Sequence, residues 1–523
     1  MIPAVKQRQL QKGEIIVKEW KVFGEKKSVG FALTYLGYFL PDTVTATEKA
    51  QANIRLVYKK TMKQGAYRLC VGNTVRIEYT DLEGVRNGLA TLIQLILPYE
   101  GGGYRLRRQI IDDYTKCLYR SVMIDLARGL PDFKRLQEDI RVLSLAKCNK
   151  LHLHLADELG LCYVSSVFPR VEDIRGTKPY TKEALKTLVE YCETLGIEVI
   201  PEIEIPSHAT ELLAKNPSLR CAKEEENQSL WTVCAGSEET YRFYEALLTE
   251  ICEIFPSQFV HIGGDEHYFA DVPQLNRKRY WADCEVCRKK MQEENLRDET
   301  ELFYYLIRRI HAILKKLGKR LMLWNDALDV SKPVDIPKDC VIQFWRIANE
   351  SRGPRKGCTY RKFLEQGFEV ICSPFEYCYI NKDDYATPEK TASFSYQKYG
   401  DSVGYEDKVI GCEVCAWEYG NPKYTHYKYS FLSSTTLLLA KMWDDKKAVY
   451  DKEYRCDVTR LLLGVDTPIG YDLFELYGSI MPPRINGQVS YARLDNQLMD
   501  RKTLQKHKQQ LQGRKGFEDF PWE

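Results

Sequence analysis

The sequence predicts an α/β fold, a (β/α)8 TIM-type barrel preceded by a small α+β domain. Eight short apolar segments with strand character recur between residues 118 and 414, and segments with apolar residues at helical spacing lie between several of them. No glycine-rich phosphate-binding pattern follows a strand, which argues against an open nucleotide-binding sheet. The predicted strands cover residues 118–124, 150–155, 197–203, 259–262, 320–324, 341–345, 369–372 and 409–414.

The residues before the barrel alternate strand and helix signals. Segments 67–71 and 75–79 flank Gly72-Asn73, a dipeptide typical of hairpins, and residues 81–96 carry apolar side chains at helical spacing. Three consecutive glycines at 101–103 mark a break. We therefore predict an α+β domain over residues 1–105, the barrel over 106–445, and a helical extension over 446–523.

Composition and charge limit the classes of partner. The 523 residues are 44% hydrophobic and 28% charged, as in soluble globular proteins, and the net charge is only +3. This charge gives no reason to expect nucleic acid, and no apolar run reaches the length of a membrane span. The start lacks an apolar signal-like segment, so the seventeen cysteines are interpreted as reduced thiols. We expect a cytoplasmic protein that binds neither nucleic acid nor membrane, and its oligomeric state stays open.

Two cysteine doublets share one tetrapeptide, Cys284-Glu285-Val286-Cys287 and the run from Cys412 to Cys415. Such a doublet is half of many zinc sites. The two doublets are far apart in sequence, and the second lies in a strand-like segment whose alternate residues face opposite ways. We interpret the repeat as coincidence and expect no metal and no cofactor. A thiolate metal site at the first doublet is the minor alternative.

Polar and aromatic residues gather where the predicted strands end, which is where barrel enzymes place their chemistry. Asp265 and Glu266 follow a glycine pair after the fourth strand, and neighbouring carboxylates disfavour each other's ionisation, so that one tends to keep its proton. Taken singly, a strand-end acid is more often a helix cap and a tryptophan more often core. The set together indicates a functional mouth suited to a sugar. The other candidates are Arg120, Asp157, His208, His261, Trp324, Trp345, Tyr379, Asn381, Trp417 and Glu418.

Four segments carry a family resemblance. They are residues 119–128 (YRSVMIDLAR), 149–157 (NKLHLHLAD), 201–208 (PEIEIPSH) and 261–266 (HIGGDE). In them the chain resembles the family 20 glycoside hydrolases, the β-N-acetylhexosaminidases, and residues 84–95 resemble the non-catalytic domain of that family. The resemblance implies an exo-acting retaining enzyme that removes terminal GlcNAc or GalNAc by substrate-assisted catalysis through an oxazolinium intermediate. Its partner would be an N-acetylhexosamine-terminated oligosaccharide or glycoconjugate.

The resemblance also implies a role for each candidate. Glu266 would be the general acid and then the base, and Asp265 would orient the acetamido N–H and stabilise the positive charge. Trp324, Trp345 and Trp417 would box the acetamido methyl group and the sugar ring. The remaining roles are an acetamido hydrogen bond for Tyr379, a grip on the outer hydroxyls for Arg120, and lining or support for Asp157, His208 and His261.

The chain departs from the family pattern at two positions. Asn381 stands where the family commonly has Asp, and Glu418 follows Trp417 directly where the family often has one residue between them. Both positions serve the 4- and 6-hydroxyl side of the sugar, so the preference between GlcNAc and GalNAc stays open. Two alternatives remain: a glycosidase of the same fold with an altered or substituted glycone, and a catalytically silent sugar-binding protein.

Overall fold

The computed structural model describes residues 1–40, 43–221, 231–267, 280–346, 360–380, 386, 388–420, 427–451, 453–454, 457–458 and 461. Within these residues the chain forms a sheet domain followed by a closed barrel. None of the helices described there is both long and apolar enough to cross a lipid bilayer.

The N-terminal domain is a mixed sheet with two helices. The elements are β1 (Gln7–Val17), β2 (Trp20–Phe23), α1 (Lys26–Gly37), β3 (Val44–Ala46), β4 (Ile54–Tyr58), β5 (Tyr67–Val71), β6 (Val75–Tyr79), α2 (Leu82–Leu95), β7 (Leu97–Pro98) and β8 (Tyr104–Asp113). The helices pack together and against the sheet. In the sheet the strand order is β1-β8-β5-β6-β4-β2-β3, and β7 pairs with β8.

Helix α2 begins and packs as its sequence predicts. The Asp81 side chain caps it by accepting a 2.7 Å hydrogen bond from the Gly84 backbone N–H. A Cβ on Gly84 would lie 2.6 Å from the Ala66 carbonyl oxygen, and one on Gly88 would lie 2.7 Å from Ile77. The two glycines therefore let the helix lie directly against the β5–β6 hairpin.

The barrel is built from parallel strands that are buried along almost their whole length. The strands are β9 (Tyr119–Asp125), β10 (Lys150–His154), β11 (Ala156–Asp157), β12 (Gly160–Leu161), β13 (Glu198–Glu202), β14 (Phe259–His261), β15 (Arg320–Trp324), β16 (Val341–Phe344), β17 (Glu369–Cys372), β18 (Tyr379–Ile380) and β19 (Val409–Ala416). Strand β9 pairs with β10 on one side and with β19 on the other, so that eight strands of the described residues form a closed barrel: β9, β10, β13, β14, β15, β16, β17 and β19. All eight predicted strands are thereby confirmed.

Helices connect the strands, and four of them begin at a side-chain cap: Asp132, Thr181, Ser237 and Asp298 each accept a hydrogen bond from a backbone N–H of the first turn. The helices are α3 (Phe133–Leu145), α4 (Lys182–Thr194), α5 (Thr210–Lys215), α6 (Glu238–Ile254), α7 (Tyr280–Asp283), α8 (Glu285–Glu293), α9 (Glu299–Lys316), α10 (Tyr360–Glu365), α11 (Phe375–Cys378), α12 (Pro388–Ser393) and α13 (Tyr427–Trp443).

The first predicted domain boundary needs correction. Strand β8 pairs with β1 and β5 as far as Asp112 and Asp113, so a boundary at residue 105 would cut through the N-terminal sheet. The glycines at 101–103 lie in the turn between β7 and β8, whose pairing continues on both sides of them. Most of the predicted extension over 446–523, including all of 462–523, lies outside the described residues.

The barrel interior changes from apolar to polar along the strands. Side chains two residues apart on a strand point to the same side of the sheet. Each strand therefore contributes every second residue to successive layers of the barrel interior. Ile200, Phe259 and Val341 belong to an apolar floor, and two residues further on lie Glu202, His261 and Gln343. This pattern places the buried polar groups toward the carboxyl-terminal mouth.

Candidate active site

Glu202, at the end of β13, is the centre of the polar layer. Its carboxylate accepts a 2.7 Å hydrogen bond from Trp324 Nε1 and lies 2.7 Å from His154 Nδ1. His261 Nδ1 lies 2.8 Å away and His152 Nε2 lies 3.2 Å away. Burial alone would raise the pKa of Glu202, but the histidines outweigh it and hold that pKa well below its usual value. The Glu202 carboxylate, whose charged form the histidines favour, therefore orients the Trp324 indole.

The turn after β14 presents the carboxylate pair. Gly263 and Gly264 have φ of 64° and 85°, and Glu266 has φ of 49°. A Cβ on Gly263 would collide with the Glu204 carboxylate, so this position requires glycine for its conformation and for space. The Glu266 backbone N–H donates a 2.9 Å hydrogen bond to Asp326 Oδ2, which holds the left-handed Glu266 in place.

Glu266 is poised as a proton donor. Burial raises its pKa to about 7, with Asp265 and Asp326 adding to the shift and His208 opposing it. The carboxyl group therefore keeps its proton up to neutral pH, whereas an ordinary glutamate loses it near pH 4. The side chain of Glu266 is 29% exposed, so a ligand in the mouth can reach it.

Asp265 offers an acceptor toward the same space. Its Oδ1 is buried and has no hydrogen-bond partner within the described residues, while Oδ2 lies 3.6 Å from His208 Nε2. Burial lowers the pKa of His208, but Asp157 and Asp265 outweigh it and raise that pKa well above its usual value. Asp265 Oδ1 is therefore available to accept a hydrogen bond from a donor group of a ligand.

Four aromatic rings form a wall beside the carboxylates. Tyr379 stacks on Trp345 with ring centroids 5.8 Å apart and planes at 8°, and it lies 5.6 Å from Trp417. Trp324 completes the group at 6.0 Å from Trp417. Trp345 Nε1 donates a 3.0 Å hydrogen bond to Asp326, so the carboxylate that holds the Glu266 backbone also orients this ring.

A charged network that includes Arg128 adjoins the aromatic wall at Trp417. Its guanidinium lies 2.7 Å from Asp157 Oδ2 and 5.2 Å from the Trp417 ring centroid. Asp157 also lies 2.8 Å from His154 Nε2 and 3.4 Å from His208 Nδ1. Burial would raise the pKa of Asp157, but Arg128 and the histidines hold it well below its usual value.

Arg120 does not belong to this site. It lies near the amino-terminal end of β9, is fully buried, donates a 2.9 Å hydrogen bond to the Lys147 carbonyl oxygen, and forms an ion pair with Glu83 of α2. The structure contradicts the prediction that Arg120 grips sugar hydroxyls. The arginine in the mouth is Arg128, three residues beyond the end of the same strand, and its position after Asp125 is the signal that the sequence offered.

The predicted residues otherwise meet at one mouth, with two qualifications. Glu418 lies on the rim, where its backbone N–H donates a 2.8 Å hydrogen bond to Asp125 Oδ2. Asn381 lies outside the described residues. Sequence reasoning did not name Trp231, whose Nε1 donates a 3.2 Å hydrogen bond to the Glu266 carbonyl oxygen and whose ring lies 4.3 Å from His208.

A closed (β/α)8 barrel whose carboxyl-terminal mouth combines adjacent carboxylates with an aromatic wall defines a barrel enzyme of the carbohydrate-acting class. Comparison with family models agrees. The model described as "Glycosyl hydrolase family 20, catalytic domain" matches residues 118–443, and "Glycosyl hydrolase family 20, domain 2" matches residues 1–114. The chain belongs to glycosyl hydrolase family 20.

Curated relatives and solved structures agree with this assignment. The chain is 30% identical over 385 residues to a beta-hexosaminidase of Vibrio furnissii, covering 68% of this chain and 59% of the relative. It is 28% identical over 341 residues to one of Akkermansia muciniphila, covering 61% and 65%. The chain thus spans less than two thirds of the length of these relatives.

Two solved structures share the fold. The exo beta-N-acetylglucosaminidase of Vibrio harveyi, solved with N-acetylglucosamine, has a TM-score of 0.75 at 21% identity, covering 89% of this chain and 78% of that one. The N-acetyl-beta-hexosaminidase of Streptomyces plicatus has a TM-score of 0.70 at 20% identity, covering 89% and 95%.

Proposed function

We propose that the protein is an exo-acting retaining β-N-acetylhexosaminidase that removes terminal GlcNAc or GalNAc. The observation that carries this proposal is the Asp265–Glu266 pair, in which a buried carboxylate oxygen free to accept a hydrogen bond adjoins a carboxyl group with a pKa of about 7. Family membership supports the proposal, as do the relatives named beta-hexosaminidase. The substrate would be an oligosaccharide or glycoconjugate that ends in N-acetylhexosamine.

In this mechanism the substrate supplies its own nucleophile. The acetamido carbonyl oxygen attacks C1 as the bond from C1 to the glycosidic oxygen breaks, and Glu266 transfers its proton to that oxygen. Asp265 Oδ1 accepts the acetamido N–H and stabilises the positive charge of the oxazolinium ring. Glu266, now a carboxylate, then takes a proton from a water molecule that attacks C1. The bond from C1 to the acetamido oxygen breaks as the new bond forms, so the acetamido group is restored and the configuration at C1 is retained.

The rest of the mouth holds the sugar. Trp324, Trp417 and Trp345 supply apolar faces for the ring and the acetamido methyl group, while Tyr379 lies among them to hydrogen-bond the acetamido oxygen. In place of Arg120, we assign the grip on the outer hydroxyls to Arg128, which Asp157 holds in the mouth. An arginine fork fits paired hydroxyls because its donors have fixed geometry.

A panel of nitrophenyl β-glycosides tests the activity. We expect turnover of the GlcNAc or GalNAc substrate, essentially no turnover of the glucoside, and tight inhibition by a cyclic thiazoline that mimics the oxazolinium ring. Glucoside turnover at a comparable rate would contradict the mechanism because it requires a nucleophile from the protein. Binding of N-acetylhexosamine without any hydrolysis would favour the silent sugar-binding alternative.

The same panel, extended to 6-substituted sugars, also tests which sugar the site prefers as the glycone. Asn381 and Glu418 depart from the family pattern, and by the family resemblance they would lie at the side of the sugar that bears the 4- and 6-hydroxyls. The kcat/KM values for GlcNAc, GalNAc and their 6-sulfated forms measure this selectivity. A preference for a 6-substituted sugar would favour the alternative of a modified glycone.

We also infer that the protein works in a reducing compartment, as expected for the cytoplasm. In support, the fifteen cysteines of the described residues are all unpaired thiols. Thiol titration of the denatured protein, prepared from cells lysed directly into an alkylating reagent, measures this. Disulfide-bonded cysteines in that sample would contradict it.

A further inference from the structure

Four buried cysteines from three separate segments meet at one point beside the barrel mouth. Cys221 follows a short 3-10 helix (Pro217–Leu219) in the loop after β13, and Cys234 precedes α6. Cys284 caps α8, and Cys287 lies in its first turn. All four sulfur atoms lie within 4.8 Å of one another.

The spacing of the sulfur atoms matches a tetrahedral metal centre. Cys234 Sγ lies 3.5 Å from Cys287 Sγ and 3.9 Å from Cys284 Sγ, and Cys221 Sγ lies 4.0 Å from Cys287 Sγ. Four thiolates at the usual Zn–S distance of ~2.3 Å in a regular tetrahedron stand about 3.8 Å apart. A disulfide would instead bring two sulfur atoms to about 2.05 Å and leave the other pair unexplained.

We propose that Cys221, Cys234, Cys284 and Cys287 bind one structural Zn²⁺ ion. Four thiolates complete the tetrahedral coordination and leave no position for water, so the ion would stabilise the fold and take no part in hydrolysis. The site lies outside the sugar-binding mouth, and the proposal stands whether or not the proposed activity is correct. It reverses the interpretation of the first cysteine doublet as a coincidence.

The backbone around the sulfur atoms is built for this close approach. A Cβ on Gly236 would lie 2.6 Å from the Val286 carbonyl oxygen and 2.7 Å from Cys287 Cα, so only glycine lets the two segments meet here. The Cys234 backbone N–H donates to the Leu219 carbonyl oxygen at 2.9 Å, which joins the segments of Cys221 and Cys234. The amino terminus of α8 adds a favourable dipole for the two thiolates that it carries.

The second doublet differs. Cys412 Sγ of β19 lies 4.0 Å from Cys378 Sγ of α11. Within the described residues, the first doublet belongs to the one group of four cysteines whose sulfur atoms converge in this way. The shared tetrapeptide therefore does not by itself predict the site, which also needs the two cysteines of the other loop.

The ion would join the two loops that flank the carboxylate pair. One loop carries Trp231, which donates to the Glu266 carbonyl oxygen. The other carries Trp281, whose Nε1 donates a 2.9 Å hydrogen bond to the Val233 carbonyl oxygen and whose ring lies 4.1 Å from His267. The metal would therefore fix these loops against each other and support the position of Glu266.

Metal analysis tests the proposal. We expect elemental analysis of the purified protein, expressed with zinc and without an affinity tag that binds metal, to find one zinc per chain. X-ray absorption should show four sulfur neighbours at ~2.3 Å. A Cys284→Ser, Cys287→Ser double variant should lose the zinc, whereas Cys252→Ser, which changes a part-buried cysteine of α6 outside the group, should keep it.

The wild-type protein gives a second measurement in case the double variant does not fold. A mercurial reagent should release one zinc as four thiols react, and removal of zinc should lower the melting temperature, with recovery on adding Zn²⁺ but not Mg²⁺. Absence of zinc from protein that retains four free thiols here, disulfides among these cysteines, or iron in place of zinc would each overturn the proposal. None of these readouts requires hydrolysis, so they do not depend on the outcome of the glycoside panel.

Discussion

At the residue scale, the chemistry of the site depends on how two adjacent carboxyl groups differ. Glu266 lies partly buried beside Asp265 and Asp326, and its pKa rises to about 7, whereas Asp265 lies beside His208. The two adjacent carboxyl groups therefore differ in what they offer a ligand: Glu266 can donate a proton, and Asp265 Oδ1 can accept a hydrogen bond. The environment supplied by the surrounding loops makes the difference.

The raised pKa of Glu266 predicts a pH profile. The group must be protonated to assist departure of the leaving group, so kcat/KM should be highest below pH 7 and fall about tenfold per unit well above it. A disaccharide substrate, whose leaving group needs the proton, shows this best. The Glu266→Gln variant, which has no titrating group at this position, should lack the alkaline decline. An unchanged decline in that variant would assign the pKa to another residue.

Removing the proton donor should lower kcat more strongly for substrates with a poor leaving group. We expect Glu266→Gln to lower kcat on disaccharide substrates by about 10²- to 10⁴-fold, the usual scale of general acid–base catalysis. The loss should be smaller on nitrophenyl glycosides, because nitrophenolate departs without protonation. Equal losses on both substrate classes would argue against Glu266 as the acid.

At the scale of elements, the turn after β14 sets the direction of the carboxylate pair. Gly263 combines a positive φ with contact against Glu204, whose own pKa is raised by burial and by Asp265. The turn therefore packs three carboxyl groups closely, and a change in its backbone moves all of them.

A single methyl group should disturb this turn. We expect Gly263→Ala to destabilise the protein by about 1–3 kcal/mol for the strained φ, with a further loss from the collision with Glu204, and to lower kcat/KM. Gly318→Ala is the matched control, because its φ is 72° and no atom lies within 4 Å of the added Cβ. Urea unfolding and kinetics on both variants measure the difference. Equal effects would show that the collision is relieved at no cost.

The elements differ in how well the sequence predicts them. The eight barrel strands are recognisable because parallel strands buried on both faces read as apolar runs. The domain boundary predicted at residue 105 is wrong because a glycine-rich turn such as the one that ends at Gly103 occurs both within hairpins and between domains. The matched segment 119–128 contains both Arg120 and Arg128, and the resemblance assigns the sugar contact to Arg120. The structure distinguishes them, because Arg120 lies at the start of the strand and Arg128 beyond its end. The four-cysteine group joins distant segments, which no local pattern can show.

At the scale of the whole molecule, the N-terminal domain packs against the barrel at the amino-terminal ends of β9 and β10. Arg120 and Glu83 form an ion pair across the two domains, and Arg86 of α2 donates to the Cys148 carbonyl oxygen just before β10. Nearby, Lys147 lies 2.8 Å from Asp113 Oδ2 and 4.0 Å from the Trp443 ring centroid. Buried charges thus join β8, the barrel and α13.

The two arginines of β9 and its loop should separate stability from catalysis. We expect Arg120→Met to destabilise the protein by about 3 kcal/mol while KM stays unchanged, because it removes the nearest ion-pair partner of Glu83 and leaves it with Arg86 at 3.7 Å and the Asn149 amide. Arg128→Met should instead raise KM, and His154 and His208, which still face Asp157, should limit its loss of stability. Denaturant unfolding and steady-state kinetics test both. A raised KM in the Arg120 variant with unchanged stability would return the sugar-binding role to Arg120.

The carboxylate of Glu202 has a consequence for how mutations combine. Trp324, His154, His152 and His261 all approach this one group, so removing any of them changes the charge state and position of the others. Losses measured for the four residues one at a time should therefore add up to more than the loss caused by removing all four together. Double-mutant cycles should give coupling energies for every pair, including residues that do not touch each other.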